Sequence, residues 1–139
     1  MTTPGRGWLA ALLTGALGAA CAAPPGPATE TVKLSIGQAP VTSLDGLRIA
    51  LVEIQDQRCP VDVNCVWAGH AKLTLDVSLP GAQAQHVVIG TVAPKAMGLP
   101  SDADLGPYRF SLVGLEPRPS QRAPVPPSSQ VATVLVSRR

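Results

Sequence analysis

Aromatic side chains are scarce in this sequence, at 3% of all residues, and beyond residue 20 only Trp67, Tyr108 and Phe110 remain. A hydrophobic core must therefore consist mainly of Val, Leu, Ile and Ala, which suits a small sheet protein. Also missing are the G-x-S-x-G, H-E-x-x-H and Gly-rich phosphate-binding patterns. Because these patterns mark common classes of enzyme, we expect neither an enzyme nor a cofactor. The carboxylates of Glu53 and Asp56 are interpreted as surface charges.

Strong charge of either sign is absent as well. The formal net charge is +2, and it falls to +1 without residues 1–20, which carry Arg6 alone among the charged residues. Arg118, Arg122, Arg138 and Arg139 are interrupted by prolines and are interpreted as solvated surface. No clustered basic face is predicted, so we expect no nucleic-acid partner.

The N-terminal segment has the order of an export signal. Arg6 precedes an uncharged run rich in Leu and Ala, and small residues follow up to Cys21. We expect residues 1–20 to be a signal peptide, because the apolar run is too short for a transmembrane helix. Residues 21–30 contain three prolines and are predicted to form an extended tether. The folded domain is then residues 31–139.

The residues LGAAC, positions 17–21, resemble the lipobox of bacterial lipoproteins. The resemblance implies cleavage before Cys21, lipid attachment to its thiol and a membrane as partner. In a Gram-negative host, Ala22 after the cysteine implies the outer membrane, with the domain facing the periplasm. The alternative is ordinary cleavage after Ala22, which would give a periplasmic or secreted protein.

Six segments alternate or run in the manner of β-strands. Residues 71–79 alternate most clearly, and with residues 86–92 they predict a hairpin around Pro80-Gly81. Residues 47–54 are nearly all apolar, which predicts a strand covered partly on both faces. The other predicted strands are residues 31–36, 108–115 and 130–137.

The segments between these strands predict the fold class. Residues 116–129 contain five prolines and are expected to be an extended surface loop. A helical turn would fit only in residues 93–105. The whole pattern predicts an all-β fold, either a small immunoglobulin-like sandwich or a partly open barrel of six to seven strands.

Cys59 and Cys65 lie in the stretch RCPVDVNCVWAGH, residues 58–70. In an oxidising compartment the two thiols are expected to pair and close a short loop. Three other interpretations stay open: a metal site of both cysteines with His70 and His86, a redox switch, and a calcium loop. The calcium ligands would be Asp56, Asp62 and Asn64, or Asp102 and Asp104.

Trp67, His70 and His86 form the predicted binding surface. We expect Trp67 to pack on the disulfide as a core residue, while its alternative role is an exposed anchor for a protein or sugar. His70 and His86 flank the predicted hairpin, and we interpret them as solvated or hydrogen-bonded histidines. The alternative is that they face each other across the hairpin as ligands. Gly69 is expected to provide a bulge or a positive φ.

The pattern R-C-P-x4-C-x-W-x-G, here residues 58–69, resembles a motif of uncharacterised bacterial exported proteins. That resemblance implies a disulfide-strapped β domain and no known activity. The function predicted from the sequence is a membrane-anchored envelope module with a binding or structural role, whose partner is an envelope protein or a glycan. The alternative is a soluble metal-handling domain that uses His70 and His86.

Overall fold

The computed structural model describes Met1, residues 28–91 and residues 100–139. Two antiparallel sheets pack face to face as a small sandwich that does not close into a barrel. The prediction of an all-β sandwich is therefore confirmed, and the barrel alternative is wrong. The seven described strands are β1 (Thr29–Leu34), β2 (Arg48–Asp56), β3 (Ala71–Ser78), β4 (Gln85–Gly90), β5 (Asp102–Leu105), β6 (Tyr108–Glu116) and β7 (Val131–Arg138).

The four-stranded sheet has the order β1-β7-β6-β5, and the three-stranded sheet has the order β2-β3-β4. β3 and β4 form the predicted hairpin, in which Val77 pairs with Gln85 and Leu73 with Ile89. Gly81 in the connecting turn has a φ of 75°, a conformation that glycine adopts without steric cost. The turn chemistry of Pro80-Gly81 thus fixes the register of this hairpin.

The core lies between the sheets and is mainly aliphatic. Alternate residues of β3 are buried, which confirms the predicted register of that strand. Phe110 is fully buried in the facing sheet, and Tyr108 is nearly so. The largest fully buried apolar side chains are Phe110, Leu34, Leu44, Leu47, Ile49, Leu51, Leu73, Leu75, Ile89, Leu115 and Val77.

Two strands carry a β-bulge that alters the predicted burial. In β2 the register shifts between Leu51 and Glu53, so Val52 is exposed while Leu51 and Ile54 are buried. The expected partial cover on both faces of residues 47–54 is limited to the half-buried Ala50, between the buried Ile49 and Leu51, and it fails at Val52. An extra residue in one strand reverses the faces of the residues beyond it, which turns a continuous apolar run into a one-sided strand. β6 has the same feature between Leu112 and Gly114, and Val113 is exposed.

The ends of several elements also differ from the sequence prediction. β1 begins at Thr29, two residues before the expected domain start, because Thr29 and Glu30 continue the pairing with β7. Ile36 and Leu79 end the predicted segments 31–36 and 71–79, but both lie beyond the strands of the structure and are exposed. The predicted signal segment beyond Met1, and the tether up to residue 27, lie outside the described residues.

Within residues 93–105, the segment where a helical turn would fit, the described residues 102–105 form a strand. Asp102–Leu105 forms a short edge strand whose partner is β6 across a turn at Gly106. Arg109 binds the Asp104 carboxylate across this pair, with its Nε 2.8 Å from one oxygen. Pairing with β6 therefore determines the conformation of Asp102–Leu105, whose local sequence pattern is ambiguous. Residues 92–99 lie outside the described residues.

The proline-rich loop, residues 116–129, is less extended than predicted. It bends at residues 121–123 and contains a 3-10 turn, Pro127–Ser129, shortly before β7. Proline is tolerated at the start of such a turn because its missing N–H would be unpaired there. Among the described residues, no helix is long and apolar enough to cross a membrane.

The strands give the sandwich two ends. The groove end contains Ala28, whose carbonyl oxygen accepts a 2.8 Å bond from the Arg138 amide, together with the β3–β4 and β5–β6 turns. The loop end contains the connection between β2 and β3 and the proline-rich loop. At ~3.3 Å per residue, β3 alone spans ~26 Å between these ends.

The bulge in β2 predicts opposite consequences for two adjacent substitutions. Leu51→Ala should lower the free energy of unfolding by about 3 kcal/mol, because it leaves a cavity between the sheets. Val52→Ala should change it by less than about 0.5 kcal/mol, because the Val52 side chain faces solvent. Urea unfolding of both variants is the measurement, and equal losses would contradict the bulge.

Candidate functional site

Residues 57–70 connect β2 to β3 and are here called the cysteine loop. Cys59 and Cys65 form a disulfide with a Cα–Cα distance of 5.9 Å, as the sequence predicts. Two main-chain hydrogen bonds of 2.8 Å join Gln57 to His70 and Cys59 to Ala68. These bonds continue the β2–β3 ladder past the strand ends. The base of the loop is therefore an extension of the sheet.

Gly69 lies in this base with a φ of 70°, which confirms the predicted positive φ. A Cβ at this position would lie against the backbone oxygen of Gln57 and 2.8 Å from the Cα of Arg58. Only a residue without a side chain allows the two arms of the cysteine loop to approach this closely.

A largely buried charge cluster supports the same base. Arg58 binds Asp56 through both carboxylate oxygens, at 2.8 and 2.7 Å, and the Gln130 side chain donates a third bond of 2.7 Å. Burial alone would raise the pKa of the Asp56 carboxyl, but the hydrogen bonds from Arg58 and Gln130 outweigh it and lower the pKa. Gln130 directly precedes β7, so its bond to Asp56 ties β2 to the start of β7. The same side chain donates a bond of 3.1 Å to the oxygen of Pro117.

Asp62 fastens the cysteine loop to the proline-rich loop. Its carboxylate accepts bonds from the amides of Gln121 and Arg122, at 2.9 and 2.8 Å, and from the Ser120 hydroxyl at 2.9 Å. The two amide bonds are the main reason that the pKa of the Asp62 carboxyl is lowered. Val61 adds a main-chain bond of 3.0 Å to Pro119.

Three apolar side chains project from the clamped loop: Val61, Val66 and Trp67, here called the apolar tip. They are exposed by 60%, 96% and 70%, respectively. The prediction that Trp67 is a core residue is therefore wrong. Cys65 itself is exposed, so the disulfide lies at the surface and offers no buried platform for the indole ring. The alternative interpretation, an exposed anchor, fits the geometry.

His70 and His86 do not face each other. His86 pairs with Asp76 across the β3–β4 hairpin, with its Nδ1 2.5 Å from a carboxylate oxygen, whereas His70 precedes β3 at the loop end. Six residues of strand, or ~20 Å, separate their positions. The two imidazoles therefore cannot bind one metal ion in this structure, and the predicted joint site is wrong.

The other predicted ligand sets are also dispersed. Asp56 and Asp62 are engaged in separate clusters, and Asp102 and Asp104 point toward Arg109 on β5 and β6. Within residues 28–91 and 100–139, no group of three or more His, Cys, Asp or Glu side chains is arranged to hold a metal ion. Cys59 and Cys65 are consumed by their disulfide.

The groove end has a feature that the sequence does not reveal. A groove of about 210 Å³ opens between the sheets, lined mainly by aliphatic side chains that include Leu47, Val77 and Leu79. Tyr108 lies at its wall and donates a hydrogen bond to Asp45, which also pairs with Arg138. The bond to Asp45 raises the pKa of the Tyr108 phenol. Two turns that lie far apart in the sequence create this groove, so no local sequence motif marks it.

Comparison with known proteins does not assign this chain to a family. The chain matches no protein-family model, and it is not significantly similar to any curated protein or any solved structure. Cys21, the predicted lipidation site, lies outside the described residues.

Sequence reasoning missed most of the residues that shape the loop end. Arg118 and Arg122 were interpreted as plain surface charges, yet Arg118 donates a 3.2 Å bond to the Cys59 oxygen and the Arg122 amide binds Asp62. No sequence pattern predicts that Val66 is exposed, because its exposure depends on the conformation of the cysteine loop.

The close approach at Gly69 predicts a large difference between two glycine substitutions. Gly69→Ala should lower the free energy of unfolding by more than about 3 kcal/mol, because a Cβ meets backbone atoms there. Gly81→Ala is the matched control, since its φ is also positive but no atom lies within 4 Å of the added Cβ. The control should lose only about 1–2 kcal/mol. Similar losses in thermal or urea unfolding would refute the steric argument.

The Asp56 cluster predicts a pH-dependent contribution to stability. Because the pKa of Asp56 is lower in the folded protein than in the unfolded chain, its contribution is present above about pH 4 and is lost as the pH falls through the folded value. Asp56→Asn should cost roughly 1–3 kcal/mol at pH 7, and this gap should narrow below pH 4. Urea unfolding between pH 2 and 7 measures it, and a constant gap would contradict the role of the charge.

Proposed function

We propose that this chain is a membrane-tethered module of the cell envelope that binds a partner through the apolar tip. The observation that carries the proposal is Trp67, which is 70% exposed on a loop held by a disulfide and by hydrogen bonds. An exposed tryptophan on a flexible loop would lose conformational freedom on binding. Here the loop is already ordered, which lowers that cost.

The composition of the tip supports binding. Tryptophan is enriched among the residues that dominate interface energies, and exposed aliphatic neighbours provide surface that a partner can cover. Val61 and Val66 supply such surface on either side of the disulfide. We propose a binding role in preference to catalysis because the carboxylates nearest the tip, Asp56 and Asp62, are engaged in bonds that maintain the loop.

The tethering part of the proposal rests on the sequence of residues 1–30. The lipobox-like residues and the proline-containing segment favour a lipid anchor on Cys21. The described chain starts at the groove end, opposite the apolar tip. With Cys21 lipidated, seven extended tether residues and the length of the sandwich would hold the tip ~45 Å from the membrane. A partner beyond the lipid surface could then reach it.

A photo-crosslinking residue at position 66, next to Trp67 and 96% exposed, in the full chain expressed in its native host tests the binding site. The matched control is position 113, because Val113 is 63% exposed on the bulge of β6 and lies away from the tip. We expect a discrete covalent adduct from position 66 and none from position 113. With the partner identified, Trp67→Ala should weaken its binding at least about 30-fold, which corresponds to ~2 kcal/mol.

Lipid labelling in the same cells tests the proposed anchor on Cys21. Labelled palmitate should be incorporated into the protein and lost in Cys21→Ala. Equal adducts at positions 66 and 113 would reject the binding site, whereas an unlabelled intact protein would reject the tether.

A further inference from the structure

We infer that the groove at the groove end binds hydrocarbon and that, away from the membrane, it holds one acyl chain of the lipid on Cys21. The inference rests on the proposed function, because it requires the lipid anchor. It assigns to the groove a ligand and a role that are separate from those of the apolar tip. At the membrane, the same acyl chain leaves the groove and enters the bilayer.

The groove has apolar walls, and part of this surface is uncovered. Leu47 and Val77 are almost fully buried where they line it, whereas Leu79 is 43% exposed. Removing apolar surface from water is the main favourable term when hydrocarbon binds to a protein. A ligand that covers the Leu79 side chain therefore gains this term.

The groove offers few hydrogen-bonding groups to a ligand. Among the described residues that line it, none is charged, and the polar side chains are those of Gln83, Gln85 and Tyr108. The Tyr108 hydroxyl already donates its hydrogen bond to Asp45. A sugar or a nucleotide needs several polar partners when it is buried, whereas a hydrocarbon needs none. The lining therefore favours a hydrocarbon ligand.

The volume of the groove matches part of an acyl chain. An apolar cavity of ~150 Å³ is large enough to take up benzene. At about 210 Å³, the groove accommodates a somewhat larger hydrocarbon segment. A bilayer buries the whole acyl chain and the groove only a part of it, so the chain moves to a membrane when one is present.

The described chain begins close to the groove. The Ala28 oxygen accepts a bond from the Arg138 amide, and the next amide along the chain donates to the oxygen of Pro107, which lines the groove. Two strand spacings of ~4.8 Å separate these partners, so Ala28 lies ~10 Å from the groove wall. Cys21 precedes Ala28 by seven residues, which span up to ~22 Å when extended. An acyl chain on Cys21 is therefore within reach of the groove.

Attachment to the same chain favours this acyl chain over free lipid. A ligand joined to its site by a short linker that spans the distance has an effective concentration in the millimolar range. A free lipid would need a similar concentration to compete. The acyl chain on Cys21 therefore occupies the groove first, and part of it is shielded from water until the protein reaches the membrane.

Intramolecular photo-crosslinking of the full chain from its native host tests the inference. A diazirine analogue of leucine replaces Leu79, which lines the groove and is accessible. Position 113 is the control, because Val113 is exposed on β6 away from the groove. The lipidated protein is purified in detergent, diluted below the micelle concentration and irradiated with and without liposomes.

We expect mass spectrometry to find residue 79 joined to the lipid of Cys21 when liposomes are absent. Liposomes should lower the yield of this adduct at least about tenfold, because the bilayer buries more methylene groups than the groove does. Position 113 should give no such adduct.

Two substitutions in the β3–β4 turn test whether the groove itself is the site. Ala82 lines the groove and Ala84 does not, although both are exposed in the same turn. Ala82→Trp should lower the adduct yield at least about tenfold, which is the effect of excluding two methylene groups from the groove. Ala84→Trp is the matched control and should give the yield of the parent protein.

Each contrary outcome overturns a different claim. If the lipidated protein gives no adduct at position 79, or if Ala82→Trp does not lower the yield, the groove is not the acyl site, although the anchor stands. A yield that liposomes do not change would overturn the release into the bilayer. An intact mass without lipid on Cys21 would overturn the tether and this inference together.

Isotope mixing identifies the source of the bound hydrocarbon. Heavy and light protein are combined before irradiation, and we expect adducts that contain one isotope only. Adducts that join heavy to light protein would overturn the assigned occupant in favour of the lipid of a second copy. Adducts with free lipid would overturn it in favour of lipid from solution.

Discussion

Filling the space between two sheets with aliphatic side chains is the constraint on which the rest of this structure depends. Because aromatic residues are few, each inward position of β3 and its neighbours has to be occupied by Leu, Ile, Val or Ala. Phe110 and Tyr108 take two places in the facing sheet. The bulges in β2 and β6 follow from the same constraint, since they bring inward-facing residues back into register after an extra residue.

Hydrogen bonds between polar groups hold the loop end together, whereas the burial of apolar side chains holds the sheets together. Asp56 and Asp62 accept most of the bonds that join the cysteine loop to β7 and to the proline-rich loop. Proline lacks an N–H and residues 117–129 pair with no strand, so this segment depends on side-chain acceptors and short turns for its order. The disulfide closes the cysteine loop at its surface. The main chain that carries Trp67 is therefore held in place, while the Trp67 side chain is exposed.

The two ends of the sandwich have different chemistry. The groove end carries the start of the described chain, an apolar groove and the network of Asp45, Tyr108 and Arg138. The loop end carries the apolar tip. For a tethered module, this polarity is consistent with attachment at one end and recognition at the other, which is the arrangement that we propose.

Local pattern determined six of the seven described strands, the β3–β4 hairpin and the disulfide, because alternation, turn residues and cysteine pairing depend on neighbours close in the sequence. It also predicted the positive φ of Gly69. Tertiary structure alone decided that Trp67 is exposed, that His70 and His86 lie apart, and that residues 102–105 form a strand. Each of these outcomes depends on contacts between distant segments: the clamp of Asp62 on the proline-rich loop, the register of the hairpin and the pairing of β5 with β6. Their energies arise only when the sheets have assembled, so no pattern within a short window contains them.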